Sequence, residues 1–169
     1  TNYYQRGVAL KNRQASDSAE FFLSKAADIF KTYEDWDNYL IINNERGSNF
    51  IHSGKIDPSI NFINEQIVFC IEKFSDSNEY LANLYNNLGL AYFFKGQTDN
   101  ALEMYDKSLG IRMALNDRES LFTSNLFNDM GKNSNYPEIK KIALNYIKKL
   151  QHLNYGTPAP VFSLKNQAE

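Results

Sequence analysis

The chain has 169 residues, of which 43% are hydrophobic and 14% aromatic, enough to bury a substantial core within one domain. Its 18 basic and 20 acidic residues leave a net charge of -2 without a long run of either sign, which argues against nucleic-acid binding and against a polybasic membrane patch. No apolar stretch approaches the roughly 18 residues of a membrane helix, so we expect a protein or peptide partner, no nucleic acid and no membrane insertion.

Apolar residues recur at three- and four-residue spacing along most of the chain, while two-residue alternation is short and rare. This pattern predicts an all-α fold, and the short connections between segments predict antiparallel helical hairpins. Eight helices are expected, at about residues 1–13, 17–32, 36–52, 57–74, 77–94, 98–115, 118–132 and 137–152.

A glycine followed twelve residues later by a small residue recurs along the chain. The pairs are Gly7 with Ala19, Gly47 with Ser59, Gly89 with Ala101, and Gly131 with Ala143. Their glycines lie 40, 42 and 42 residues apart, which indicates an internal repeat.

The third unit has the most complete pattern, with Tyr85, Leu88, Gly89, Tyr92, Gly96, Ala101 and Tyr105. It resembles the tetratricopeptide repeat (TPR), a helix-turn-helix unit, in the long-helix type found in bacterial proteins. The resemblance implies an α-solenoid of three to four hairpins over residues 1–153, with repeats at about 1–35, 36–76 and 77–117 and a degenerate unit at 118–153. That last unit is either a true repeat or a helical pair capping the array. The resemblance also implies that the glycine and the small residue lie where the two helices of a hairpin approach closely.

In TPR geometry the first helix of each hairpin lines a concave groove, so the resemblance also implies candidate partner-binding residues. These are Asn44, Ser48, Ile51, His52, Asn83, Asn86, Asn87, Leu90, Phe93 and Phe94, together with Val8, Lys11 and Asn12 of the first unit. The asparagines suggest a ladder that hydrogen-bonds an extended peptide, although asparagine is abundant throughout the chain. The expected core members are Tyr3, Phe22, Phe30, Tyr85, Tyr92, Tyr105 and Ile147.

Residues 154–169 lack a helical period and are expected to form an extended tail. Within it, Gly156-Thr157-Pro158-Ala159-Pro160-Val161-Phe162-Ser163-Leu164 resembles the segment that leads into the first strand of thioredoxin-like thiol-disulfide reductases and peroxiredoxins. The alternatives are the start of such a domain or a coincidental proline-rich tail, and the sequence contains no Cys-x-x-C pair.

No catalytic constellation, phosphate loop or metal-ligand spacing appears, so we expect a non-catalytic protein without cofactor or metal. The lone cysteine, Cys70, lies on an apolar helix face and is expected to be a buried thiol. The sequence predicts a scaffold that binds a partner in its groove, as the sensory or adaptor part of a larger bacterial protein. Alternatives are the helical amino-terminal region of an exported thiol-disulfide oxidoreductase, and self-association through the repeat ends. A cytoplasmic and a periplasmic location both remain open.

Overall fold

A computed structural model describes residues 2–115, and within them the chain forms six helices. They are α1 (Asn2–Asn12), α2 (Ser16–Thr32), α3 (Trp36–His52), α4 (Ile56–Phe74), α5 (Glu79–Phe94) and α6 (Thr98–Ala114). The first six predicted helices are confirmed to within two residues at each end. The predicted seventh and eighth helices, the degenerate repeat 118–153, Ile147 and the tail 154–169 lie outside the described residues.

The ends of α1, α2, α3 and α5 share one backbone turn. The second residue after each of these helices has a positive φ. These residues are Gln14 (60°), Glu34 (55°), Gly54 (75°) and Gly96 (79°). After α3, for example, the Gly54 amide donates to the Ile51 carbonyl at 3.0 Å and the Lys55 amide to the Phe50 carbonyl at 2.9 Å. This is the Schellman arrangement, which satisfies the last carbonyls of a helix and favours glycine at the left-handed residue. Two of the four ends use a residue other than glycine there.

The repeat glycines lie against the second helix of their own hairpin, as predicted. A Cβ on Gly7, Gly47 or Gly89 would lie 2.6 Å from Leu23, 2.8 Å from Ile63 or 2.7 Å from Tyr105, respectively. In each hairpin the contacted residue lies sixteen positions after the glycine. It is one helical turn beyond the small residue, twelve positions after the glycine, that the sequence pattern identified. Ala19, Ser59 and Ala101 are buried at 0%, 0% and 2% exposure, so they too belong to the tightly packed part of each hairpin.

The described residues include two apolar clusters. The larger joins α3, α4, α5 and α6, and the smaller joins α2 and α3, with Leu23 and Ile42 among its members. Tyr105 is buried as predicted, at 1% exposure, but Tyr3 is 43% exposed and its prediction as a core residue is wrong. The other predicted core aromatics, Phe22, Phe30, Tyr85 and Tyr92, are only half-buried, and the last three of them pack at the edges of these clusters. Aromatic residues at these positions cover the core instead of filling it.

The hairpins stack side by side. Consecutive helices pack on each other throughout, and α3 in addition contacts both α1 and α5. The first helices of the three hairpins therefore form one closely spaced layer, here called the inner helices, while α2, α4 and α6 make their main contacts with that layer.

Candidate functional site

The inner helices α3 and α5 each carry a stripe of exposed or half-buried side chains at three- and four-residue spacing. On α3 the stripe is Ile41, Glu45, Ser48 and His52, and on α5 the equivalent stripe is Asn83, Asn87, Leu90 and Phe94. These eight residues, with Asn44 beside them, are called the inner face below. Six of them, and Asn44, are among the predicted groove residues, whereas Ile41 and Glu45 were missed. The helical period alone would have found both, since they lie on the same stripe as Ser48.

Polar side-chain contacts tie the inner helices together, and two of them involve residues of the inner face. The Asn87 amide nitrogen donates to the Asn44 side-chain oxygen at 2.8 Å and to the Asn44 backbone carbonyl at 3.2 Å. Lys11 of α1 forms an ion pair with Glu45 of α3, and the pKa of the nearby Tyr4 is raised by burial and by the Glu45 charge. The Asn87 carbonyl oxygen and the Asn44 amide nitrogen have no partner among the described residues, so they remain available to an incoming backbone.

The other asparagines do not continue this contact into a ladder. Asn83 accepts a hydrogen bond from Arg112 of α6 and so fastens the two helices of its own hairpin. The Asn86 side-chain oxygen is buried and has no partner within the described part of the chain. Among the asparagines of this row, Asn44 is thus paired with Asn87 across the two inner helices, and the ladder that would bind a peptide stays a prediction.

The remaining predicted groove residues divide between accessible and covered positions. Ile51 is 3% exposed and belongs to the larger core cluster, so its prediction as a groove residue is wrong. Phe93 is half-buried and packs edge-on against Phe94, with ring centroids 5.8 Å apart, whereas Phe94 is 58% exposed. His52 is exposed, and its Nδ1 lies 2.7 Å from the Ser48 carbonyl oxygen. The inner face thus combines apolar side chains, Ile41, Leu90 and Phe94, with polar ones.

A cluster of polar side chains lies between the first two hairpins, and it was not expected from the sequence. Arg46 of α3 donates to one Glu20 oxygen through Nε (2.9 Å) and Nη2 (2.6 Å), and through Nη1 to the Asn43 side-chain oxygen (3.0 Å). Asn43, which is 0% exposed, in turn donates to Gln66 at 2.9 Å. The Arg46 guanidinium also stacks on the Phe62 ring at 4.8 Å.

At the next interface, between the second and third hairpins, the positions of Glu20 and Arg46 are occupied by Ile60 and Leu88, both in the apolar core. The two interfaces therefore share a geometry but differ in chemistry.

The lone thiol is buried, as predicted. Cys70 is 0% exposed and lies 3.3 Å from the Asn78 side-chain oxygen, which accepts its hydrogen bond. Burial raises the pKa of the thiol, which disfavours the reactive thiolate. Among the described residues, no cluster of His, Cys, Asp and Glu could hold a metal ion, and no helix has the length and apolar character needed to cross a membrane.

Comparison with known proteins supports the repeat assignment. A family model for the tetratricopeptide repeat matches residues 82–112, which cover most of α5 and α6. A solved structure titled "Crystal structure of BtubC (BKLC) from P. vanneervenii" is similar with a TM-score of 0.70 at 20% identity. That match covers 94% of this chain and 65% of the other, so this chain spans about two thirds of its length. The identity is low enough that the likeness concerns the fold alone. No curated protein matches.

Proposed function

We propose that this chain, a TPR-like helical repeat protein, is a non-catalytic module that binds a peptide or helix of a partner protein on its inner face. TPR repeats generally mediate protein–protein interaction, and this general role is the premise of the proposal. The observation that carries it further is the inner face itself, a stripe of exposed and half-buried side chains of mixed polarity that runs across two adjacent hairpins. The predicted role as the sensory or adaptor part of a larger bacterial protein is proposed on the same basis.

The inner face favours a ligand with apolar anchors and a free polar backbone. Phe94 and Ile41 are 58% and 40% exposed, and single hydrophobic anchors of this kind contribute most when a partner covers them fully. The Asn44 side-chain nitrogen can donate to a backbone carbonyl of the ligand, and the Asn87 side-chain oxygen can accept from a backbone N–H. Because Lys11 and Glu45 neutralise each other, the face does not select strongly for a charged ligand.

The experiment compares two pairs of exposed apolar residues that are matched in exposure. The test variant carries Ile41→Ala and Phe94→Ala on the inner face, at 40% and 58% exposure. The control carries Ile71→Ala and Val68→Ala on α4, at 42% and 58% exposure. Each protein is immobilised and exposed to lysate of the source cell, and captured proteins are identified by mass spectrometry. A captured protein is then purified and its Kd is measured directly.

We expect the inner-face variant to lose the partner, with a Kd at least about tenfold weaker, because alanine truncation of an anchor costs more than about 1 kcal/mol. The α4 control should bind as the unaltered protein does. Equal loss in both variants, or none in either, would show that the partner does not use the inner face.

A second candidate function rests on the segment from Gly156 to Leu164, which resembles the start of a thioredoxin-like domain. In this alternative the helices form the amino-terminal region of an exported thiol-disulfide oxidoreductase, with the catalytic domain outside this chain. The sequence of the parent gene beyond Glu169 tests it. A strand pattern followed by Cys-x-x-C, together with reduction of insulin disulfides by the longer protein, would support it, while any other continuation would remove it.

A further inference from the structure

Three ion pairs cross the junction between the first hairpin, α1–α2, and the second hairpin, α3–α4. They join Glu20 with Arg46, Lys11 with Glu45, and Asp17 with Lys55. The first two pairs are half-buried, and the third is exposed. In each pair one partner belongs to the first hairpin and the other to the second, so every pair is broken when the two hairpins separate.

The uncharged contacts at this junction are also partly polar. Asn49 of α3 is 1% exposed and donates across the junction to the Ser16 carbonyl at 2.9 Å. The buried apolar cluster that joins α2 to α3 includes two alanines, Ala26 and Ala27, whose side chains bury little apolar area. Ion pairs and hydrogen bonds therefore supply a large share of the attraction between these hairpins.

The second junction, between α3–α4 and the third hairpin, α5–α6, differs in chemistry. The positions that hold glutamate, arginine and asparagine at the first junction hold Ile60, Leu88 and Ala91 here, all in the larger apolar cluster. The ion pair that crosses this junction within residues 2–115, Asp57 with Lys95 at 2.8 Å, is exposed. Burial of apolar area, which does not depend on charge, is thus the main attraction at the second junction.

The net charges of the hairpins reinforce this contrast. Residues 36–76 contain three basic and six acidic side chains, and residues 77–115 contain three basic and four acidic ones. Both hairpins are negative, so their long-range interaction is repulsive. Residues 2–35 contain five basic and five acidic side chains, so no net repulsion opposes the ion pairs at the first junction. Because dissolved salt screens attraction and repulsion alike, it acts in opposite directions on the two junctions.

We propose that the first junction is a salt-sensitive joint, which opens more often as the ionic strength rises, while the second junction does not. Opening separates the paired charges and returns them to water, so screening removes attraction from the closed state only. The exposed pair of Asp17 and Lys55 responds at lower salt than the half-buried pairs, because burial limits screening.

Opening of this joint changes the inner face. The ion pair of Lys11 and Glu45 bridges α1 and α3 there, and it neutralises Glu45 only while the two helices stay together. In the open state Glu45 is an unpaired carboxylate, so the inner face gains a preference for a basic ligand. This consequence rests on the proposed function of the inner face, whereas the joint itself does not.

Two buried thiols report the opening of the two junctions separately. Native Cys70 is 0% exposed, lies in the larger cluster and donates to Asn78 just before α5, so it becomes accessible when the second junction opens. Ala27→Cys in a Cys70→Ala background places a thiol in the α2–α3 cluster, where Ala27 is 2% exposed. Each full chain is reacted with dithiodipyridine, an uncharged thiol reagent. The rate is divided by that of the urea-unfolded protein at the same salt concentration.

We expect the normalised rate at position 27 to rise about threefold or more between about 0.1 and about 1 M NaCl, over which the Debye length falls from about 10 Å to about 3 Å. The rate at Cys70 should stay constant or fall. Equal rises at both thiols would indicate a general loss of stability in salt, and no rise at position 27 would show that the ion pairs do not hold the junction. Either result overturns the proposal.

A variant without the three ion pairs tests their part in the response. It carries Glu20→Ile with Arg46→Leu, Lys11→Gln with Glu45→Gln, and Asp17→Asn with Lys55→Gln. The matched control carries Asp57→Asn with Lys95→Gln at the second junction. The rise at position 27 should disappear in the variant and persist in the control.

Single removals cover the case in which circular dichroism shows that this variant does not fold. The three pairs are then removed one at a time, and at least one removal should reduce the rise at position 27. A rise that survives every removal would overturn the proposal. Because no partner is present in the assay, its result is independent of whether the inner face binds one.

Discussion

Replacing Gly89 by alanine sets two effects of opposite sign against each other. Alanine in a helix interior is favoured over glycine by about 0.8–1 kcal/mol. The new Cβ, however, would lie 2.7, 2.8 and 3.0 Å from three atoms of the Tyr105 ring, which is 1% exposed. A buried ring cannot move aside without displacing its neighbours, and overpacking of this kind costs about 1–3 kcal/mol. We therefore expect Gly89→Ala to destabilise the protein by up to about 2 kcal/mol, or up to about 8 °C in the thermal midpoint.

Gly110 of α6 is the matched control. It is also a helical glycine, but a Cβ there meets nothing within 4 Å. Gly110→Ala should therefore show only the helix preference and stabilise by up to about 1 kcal/mol. Both variants are measured by urea unfolding followed by circular dichroism, with equal m-values as the check that the unfolded states are comparable.

A double variant tests the stated cause. Tyr105→Leu removes two of the three ring atoms that the new Cβ would meet, so Gly89→Ala should cost less in that background than in the unaltered protein. If instead Gly89→Ala stabilises as much as Gly110→Ala, close packing against Tyr105 is not the reason for the glycine.

Three further predictions concern stability. Gln14→Gly should raise the free energy of unfolding by about 1 kcal/mol in urea titrations, since Gln14 has a φ of 60° and glycine adopts this conformation without strain. If the variant shows no gain, the turn is not held in that conformation. Arg46→Leu should cost about 2–3 kcal/mol by the same assay, because it strips charged hydrogen bonds from Glu20, and the double variant with Glu20→Ile should recover most of that loss, as an apolar pair does. Burial and the hydrogen bond to Asp37 raise the pKa of Tyr80 to about 12, so its stabilising contribution is complete below pH about 10 and is lost between about 10 and 12. The difference in unfolding free energy between the unaltered protein and Tyr80→Phe should shrink over that range, and a constant difference would contradict the linkage.

Part of the inner face followed from sequence because exposure along a helix follows its period. The residues one and five positions after Gly47 and Gly89, namely Ser48, His52, Leu90 and Phe94, lie on the inner face. Ile51, four positions after Gly47, is instead buried in the larger core cluster. The contact of Asn44 with Asn87, and not with Asn86, likewise depends on how two helices meet.

The sequence by itself determined the helical hairpins, their period and the three packing glycines, because these depend on local spacing and on the need for a small residue where helices approach. Tertiary structure alone decided which polar groups are satisfied and which surfaces stay open. Asn44 and Asn86 occupy the same repeat position, yet Asn44 is paired with Asn87 of the neighbouring helix, whereas the Asn86 side-chain oxygen is buried without a partner among the described residues. A hydrogen bond depends on the positions of two separate helices to within a fraction of an ångström, and spacing along one helix does not contain that information.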